Sequence, residues 1–267
     1  MTEEPRPRWR RAALLRASCV LLLLALCAPR LLAAAPGAFA FGEYDELLRR
    51  HVDAQGRVDY AALQRRDAAR LDKLVASLAQ SGPRRTPERY PGRDAALAYY
   101  LSAYNLLVWK NVVQHQPALR RVDQDGFAFF KAPRFAVDGQ SLSLDELEKQ
   151  VIRPRFADAR VHFALNCASG GCPRLPAEAF TPERVQQQLQ REARRFCNEP
   201  RNVALDHKSG RLRLSSLFKW YREEFAGGDV IAFINRHRAA DAQLPAGAPI
   251  DFVDYDWRLN DLTLPAR

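Results

Sequence analysis

Cysteine is scarce in this chain: there are five in 267 residues, and no two are spaced as a C-x-x-C pair. The thioredoxin-type redox motif is therefore absent. The cysteines and the nearby histidine also lack the paired spacing that is typical of a structural zinc site. From this pattern we expect neither a metal ion nor a cofactor.

The chain also lacks an N-terminal apolar run long enough to cross a bilayer. The apolar stretch at residues 17–28 has about a dozen residues, whereas a membrane helix needs roughly 20. It follows an arginine-rich segment and precedes two A-x-A sites, of which the one ending at Ala40 is preferred over the one ending at Ala35. These features predict a signal peptide, residues 1–40. We expect a periplasmic or secreted protein with no stable membrane span after cleavage.

An internal repeat is missing as well, and the basic residues do not form a continuous patch. The formal net charge is +10. The basic runs at residues 49–50, 65–66 and 191–195 are interspersed with acids, which is typical of solvated helix faces. We therefore expect no nucleic-acid partner.

Hydrophobic periodicity predicts one α+β domain over residues 41–267, rich in helix and with a small, mainly antiparallel sheet. Thr181 followed by Pro182 predicts the start of one helix. The predicted helices are 41–52, 63–78, 94–115, 145–152, 182–196 and 229–237. Hairpins are predicted at 135–142 and 203–214, with further strands at 161–166 and 251–255.

Reactive residue types concentrate in residues 162–173, which read His-Phe-Ala-Leu-Asn-Cys-Ala-Ser-Gly-Gly-Cys-Pro. An apolar, strand-like run ends there in a turn of small residues, residues 166–173, which we call the cysteine loop. Loops that leave a rigid scaffold commonly expose reactive side chains. Cys167 and Cys172 are therefore candidate site residues.

Three roles are open for Cys167. It is a nucleophile if a base converts it to the thiolate, one half of a disulfide with Cys172, or a small buried residue. Strand alternation places His162 on the opposite face from Cys167. The alternative bases are His51, His115 and Lys149.

Glu148 or Asn105 would orient such a base. Asn105 lies among apolar neighbours on its helix, and two roles are open for it: binding a substrate or oxyanion, or satisfying a buried backbone group beneath the cysteine loop. Cys197 is expected to act as a small buried hydrophobe. Four aromatic residues are expected in the core rather than on a carbohydrate platform: Trp109, Trp220, Tyr221 and Trp257.

Five motifs, in order along the chain, resemble the domain-of-unknown-function 547 family. They are residues 103–107 (Ala-Tyr-Asn-Leu-Leu), 139–148, 162–173, 215–221 and 255–260. The core motifs cover residues 94–197, and the resemblance implies an exported bacterial member with an unassigned activity. Residues 99–102 read Tyr-Tyr-Leu-Ser where relatives usually have Phe-Trp-x-Asn, and Lys149 stands where relatives commonly have histidine. The resemblance places the site at Cys167, His162, Asn105, Glu148 and Cys172.

These observations favour a cysteine-dependent enzyme, a hydrolase or acyltransferase acting on peptide-like or cell-envelope material. Two alternatives remain open: a non-catalytic envelope-binding module, favoured by Lys149 in place of the histidine, and a redox-active dithiol protein.

Overall fold

The computed structural model describes residues 37–264, which form α-helices of very different lengths and five short strands. The helices are α1 (Phe41–His51), α2 (Tyr60–Gln80), α3 (Gly92–His115), α4 (Ala128–Lys131), α5 (Leu144–Glu146), α6 (Arg153–Phe156), α7 (Val185–Asn198), α8 (Leu217–Trp220) and α9 (Val230–Asn235). The strands are β1 (Phe135–Val137), β2 (Gln140–Leu142), β3 (Val203–Asp206), β4 (Arg211–Ser215) and β5 (Ile250–Val253). Residues 1–36 of the predicted signal peptide lie outside the described residues.

Helix α3 lies at the centre of the fold because it is apolar on nearly every side. A helix of this kind must be covered by other elements, and α2 packs along it. The phenol of Tyr99, on α3, is fully buried. Its hydroxyl donates hydrogen bonds to the carbonyls of Leu78 and Ser81 at the end of α2, at 3.0 and 2.9 Å. No helix within residues 37–264 is both long enough and apolar enough to cross a membrane.

The first predicted hairpin is confirmed. Strands β1 and β2 pair antiparallel around Asp138 and Gly139, whose φ values are 51° and 74°. Two successive positive φ angles are what a type I′ turn requires. The Asp138 carboxylate accepts hydrogen bonds from the backbone N–H groups of Arg84 and Arg85 and from the Tyr100 hydroxyl. The turn is thereby fixed to α3.

The second hairpin is confirmed too, and it belongs to a mixed sheet. Strands β3 and β4 pair antiparallel, and β5 joins β4 in parallel. The α+β prediction is therefore correct. The β4–β5 ladder is parallel, and the other two strand pairs are antiparallel.

Two hydrophobic clusters form the interior. The larger contains α1 to α3, both strands of the first hairpin and the start of α7. The smaller contains the end of α7, the mixed sheet, α8 and α9. Val161 belongs to the first cluster and Phe163 to the second. The segment that leads into the cysteine loop therefore lies where the two clusters meet.

The predicted strand at residues 161–166 is wrong. Ala159–Phe163 is a 3₁₀ turn, begun by Asp158, whose side chain accepts from the Arg160 N–H. Local bonds, such as Ala164 N–H to the Val161 carbonyl, replace the pairing that a sheet would supply. An apolar run of this length does not distinguish a buried strand from other buried backbone.

Two helix boundaries also differ from prediction. Helix α7 begins at Val185 rather than at Pro182, because residues 182–184 form a turn in which the Arg184 N–H donates to the Thr181 carbonyl. The predicted helix 145–152 starts at a Ser143 capping box and continues through a π-helical segment, Leu147–Ile152, into α6.

Candidate functional site

Buried side chains hold the cysteine loop from below. Asn105, on α3, donates from Nδ2 to the Ala164 carbonyl at 2.9 Å and accepts the Asn166 N–H on Oδ1 at 2.8 Å. Asn166 in turn accepts the N–H of Ala168 and donates to the carbonyl of Pro173, which closes the loop. Asn105 thus uses both of its polar side-chain atoms to bind the backbone next to Cys167. Of the two roles predicted for Asn105, this is the structural one, the satisfaction of buried backbone groups.

The C-terminal segment holds the loop from the side. The N–H groups of Gly170 and Gly171 donate to the carbonyls of Arg258 and Asp256 at 2.8 Å each. A Cβ on Gly171 would lie 2.9 Å from the ring of Tyr255. The loop needs glycine here because its backbone and the C-terminal segment are in direct contact.

Cys167 and Cys172 form a disulfide across the turn, with their Cα atoms 6.3 Å apart. Cys172 is buried, whereas Cys167 is half-buried. Three donor groups lie within hydrogen-bond distance of Cys172 Sγ: the Cys167 N–H at 2.9 Å, and the hydroxyls of Ser169 and Tyr255 at 3.3 Å each. Burial raises the pKa of Tyr255 above its ordinary value, so this hydroxyl keeps its proton at neutral pH.

His162 is held by a carboxylate that the sequence did not single out. Its Nε2 lies 2.8 Å from Glu224 Oε2, and its ring stacks on Tyr221 with centroids 3.9 Å apart. Arg153 also binds Glu224. The hydrogen bond from His162 and the Arg153 guanidinium lower the pKa of Glu224 to about 2. Glu224 is therefore a carboxylate at neutral pH and accepts a hydrogen bond from His162 Nε2–H, which orients the imidazole ring.

Glu148 and Lys149 lie close by on the π-helical segment. Glu148 Oε1 accepts a hydrogen bond from the Tyr221 hydroxyl at 2.9 Å. Lys149 pairs with Asp145, one turn earlier on the same helical stretch. Because Lys149 already has this ion pair, it is a poor candidate for the base that replaces the family's histidine.

One cavity of about 280 Å³, which we call the cysteine cavity, brings most of the predicted site residues together. Its lining includes Cys167, Cys172, His162, Glu148 and Lys149. His162 and Cys167 line one cavity, contrary to the prediction from strand alternation, because the segment between them is not a strand. Asn105 lies beneath this cavity rather than in its lining.

The other candidate bases lie elsewhere. His51 is buried against Asp67, with Nε2 2.8 Å from Oδ2, and His115 Nδ1 lies 2.7 Å from the Asn111 carbonyl. Neither lines the cysteine cavity. Over residues 37–264, no group of three or more histidine, cysteine, aspartate or glutamate side chains is arranged to hold a metal ion.

One segment of the chain matches a known protein family. Residues 87–197 match the family described as "Protein of unknown function, DUF547". This match shows that residues 87–197 are similar to the DUF547 family. Comparisons with curated proteins and with solved structures gave no significant match. The DUF547 segment contains Asn105, Glu148, His162, Cys167 and Cys172, and the family description names no reaction.

Several site residues lie outside the DUF547 segment, and sequence reasoning missed them. No motif or residue spacing in the sequence marks Glu224 as a site residue. Tyr255 belongs to the terminal motif at residues 255–260, which is recognisable in the sequence. The structure shows that this motif folds back onto the cysteine loop.

The aromatic side chains at the cavity mouth correct one expectation. Trp220 was expected in the core, but it is 47% exposed and stacks on Trp257 with ring centroids 5.4 Å apart. Both indoles line the cysteine cavity beside Tyr255 and Tyr221. Trp109 is fully buried, as expected.

Proposed function

We propose that the cysteine loop performs thiol–disulfide exchange, in which the Cys167–Cys172 disulfide oxidises a dithiol in a polypeptide substrate. The observation that carries the proposal is the Cys167 N–H, which donates to Cys172 Sγ at 2.9 Å. The hydroxyls of Ser169 and Tyr255 lie within hydrogen-bond distance of both sulfurs, so the backbone N–H is what distinguishes Cys172 from Cys167. Hydrogen bonds to a sulfur stabilise it as a thiolate, and exchange is faster when the departing thiol has a lower pKa. Cys172 is therefore suited to be the leaving group, and half-buried Cys167 the sulfur that is attacked.

The step balances without a cofactor. A substrate thiolate attacks Cys167 Sγ, the Cys167–Cys172 bond breaks, and its electron pair stays on Cys172 Sγ. The second substrate thiol then attacks the mixed disulfide and expels Cys167 as a thiolate. The substrate leaves as a disulfide, and its two electrons remain on the protein as two reduced cysteines.

His162 supplies a base in the same cavity. Glu224 binds Nε2 and orients the ring, so Nδ1 is the nitrogen left to accept a proton from the substrate. Removing the proton from a substrate thiol generates the nucleophilic thiolate. The oxidising compartment to which the predicted signal peptide directs the chain is also where disulfides persist.

A second candidate function uses the same residues after reduction. Cys167 as a free thiol, with His162 as base and Glu224 orienting it, has the elements of a cysteine-dependent hydrolase or acyltransferase. The His162–Glu224 pair favours this candidate. Exchange is preferred because Cys167 is bonded to Cys172, a residue for which acyl transfer has no role.

The test uses Cys172→Ser, which leaves Cys167 without its internal partner. With oxidised glutathione as probe, we expect a glutathione mixed disulfide on Cys167, detected by mass spectrometry without reductant. Cys197→Ser, combined with Cys172→Ser, should give the same product and is the matched control. A folded variant that forms no adduct at Cys167 would overturn the proposal. An acyl-enzyme on Cys167 from a thioester probe, without exchange, would favour the second candidate.

A further inference from the structure

A second and larger cavity also borders the cysteine loop. Its volume is about 830 Å³. Cys172, Pro173 and Tyr255 line both cavities, so the two cavities adjoin at the loop. Seven arginines line the second cavity, which we call the arginine cavity: Arg57, Arg120, Arg121, Arg174, Arg201, Arg213 and Arg258.

Positive charge exceeds negative charge in this lining. Against the seven arginines stand three aspartates, Asp254, Asp256 and Asp261. Five of the arginines bind a carboxylate: Arg57 with Asp53, Arg121 with Asp123, Arg174 and Arg201 with Glu199, and Arg258 with Asp256. The guanidinium groups of the other two, Arg120 and Arg213, are exposed and have no carboxylate partner within residues 37–264.

The cysteine loop is attached to this charged wall. Arg201 donates to the carbonyls of Gly170 and Cys172 at 3.0 and 3.1 Å. Its remaining nitrogen binds Glu199. Arg201 therefore holds the loop and donates from all three guanidinium nitrogens, whereas Arg120 and Arg213 have their donors available for a ligand.

We propose that the arginine cavity binds an acidic segment of the polypeptide whose thiol reacts in the cysteine cavity. This inference rests on the proposed exchange function, which requires a polypeptide substrate. A guanidinium pairs with a carboxylate through two parallel N–H···O bonds, so Arg120 and Arg213 are suited to aspartate and glutamate side chains. Because both cavities share Cys172 and Tyr255, a bound chain passes from one to the other over the disulfide.

The surplus positive charge also acts before contact. A concave surface with a net positive charge attracts anionic ligands and raises their rate of association. The aromatic mouth of the cysteine cavity, Trp220 and Trp257, offers the complementary apolar surface. The preferred substrate is thus a thiol peptide with an apolar residue near its cysteine and acidic residues to one side.

The binding experiment uses fluorescein-labelled peptides with serine in place of cysteine, so that no exchange occurs. One carries glutamates beside the serine, and the matched peptide carries glutamines. Fluorescence anisotropy should show tighter binding of the acidic peptide. Arg120→Gln combined with Arg213→Gln should weaken its binding about tenfold, the sum of two exposed ion pairs. Higher salt should weaken binding by wild type.

The matched control is Arg65→Gln with Arg66→Gln on α2. It removes the same charge from exposed positions outside the arginine cavity, and circular dichroism should show that both double variants are folded. Unchanged binding by the control supports the assignment. Equal binding of the acidic and amide peptides, or an equal loss in both double variants, would overturn it.

A parallel exchange assay with cysteine-containing peptides separates this inference from the proposed function. Faster oxidation of the acidic peptide, lost in the Arg120→Gln/Arg213→Gln variant, supports both. Selective binding of the acidic serine peptide without any exchange supports the acidic ligand but contradicts thiol exchange. Exchange at equal rates for acidic and amide peptides contradicts the arginine cavity alone.

Discussion

At the scale of single residues, one buried amide fixes the backbone that carries the cysteine pair. Asn105 is 2% exposed and satisfies one carbonyl and one N–H group of the segment leading into the cysteine loop. Removing it leaves both groups buried without a partner, and each such group costs about 1–3 kcal/mol.

Asn105→Ala should therefore lower the free energy of unfolding by about 2–5 kcal/mol, measured by urea denaturation. Asn111→Ala is the matched control on the same helix, because Asn111 donates a single side-chain hydrogen bond, to the Phe129 carbonyl. Its cost should be about half as large. An equal loss of unfolding free energy in the two variants would contradict the account that Asn105 satisfies two backbone groups beneath the cysteine loop.

Cys197 differs from the other described cysteines in its surroundings. It is the free cysteine of the described residues, fully buried in the second cluster, so its prediction as a small buried hydrophobe is confirmed. Burial raises the pKa of its thiol to about 12. In the reduced protein at pH 8, iodoacetamide should label Cys167 well before Cys197, as followed by peptide mass spectrometry. Labelling of Cys197 at the same rate would contradict its burial.

Glu224 makes the stability of the fold depend on pH in the acid range. Its pKa is lowered from 4.5 to about 2 by the hydrogen bond from His162 and by Arg153. A carboxyl group whose pKa is lower in the folded state stabilises the fold above its unfolded pKa, and that contribution disappears as the pH falls through its folded pKa.

Glu224→Gln should therefore melt below wild type at pH 6, and the difference should shrink between about pH 4.5 and 2. Thermal unfolding followed by circular dichroism across this range measures it. The neighbouring exposed Glu223, changed to Gln, is the control and should melt close to wild type throughout. A difference in melting temperature between Glu224→Gln and wild type that stays constant down to pH 2 would contradict the pairing of Glu224 with His162 and Arg153.

At the scale of elements, side-chain identity predicted the hairpins and the buried helices better than it predicted the cysteine segment. The Asp138–Gly139 turn requires residues that accept positive φ, and the chain supplies them in sequence. Residues 161–166 carry no comparable local signal. Their backbone conformation depends on Asn105, which lies 59 residues before its bonding partner Ala164.

The N-terminus of helix α1 bears on the predicted cleavage of the signal peptide. Phe39 is 3% exposed, packs edge-on against Tyr99 at 6.2 Å, and donates its N–H to the Tyr90 hydroxyl. Cleavage after Ala40 would remove this side chain from the core, whereas cleavage after Ala35 would keep it. We expect the mature chain to begin at Pro36.

Two truncated chains test this expectation. A chain starting at Pro36 should unfold with a higher free energy than one starting at Phe41, by about 3–5 kcal/mol, the usual cost of losing a buried phenylalanine. Terminal sequencing of the processed protein gives an independent readout. Equal stabilities, together with a native terminus at Phe41, would contradict the structural role of Phe39.

At the scale of the whole molecule, the site is built from parts of the chain that are far apart in sequence. The residues inside the DUF547 segment could be predicted because they share recognisable motifs. Glu224 and the arginine cavity could not, since they depend on how the mixed sheet and the C-terminal segment pack against the cysteine loop. Trp220 was misplaced for the same reason, because composition alone does not show which tryptophan borders a cavity.

The central claim is that Cys167 and Cys172 form a reversible redox couple at the candidate site. The most direct measurement is differential alkylation with mass spectrometry of wild-type protein equilibrated in glutathione buffers of graded redox potential. We predict that both cysteines change together from unlabelled to labelled in a single two-electron transition as the buffer becomes more reducing, while Cys197 takes no part. Cys167 and Cys172 that label independently, or that do not respond across the whole range, would contradict the claim.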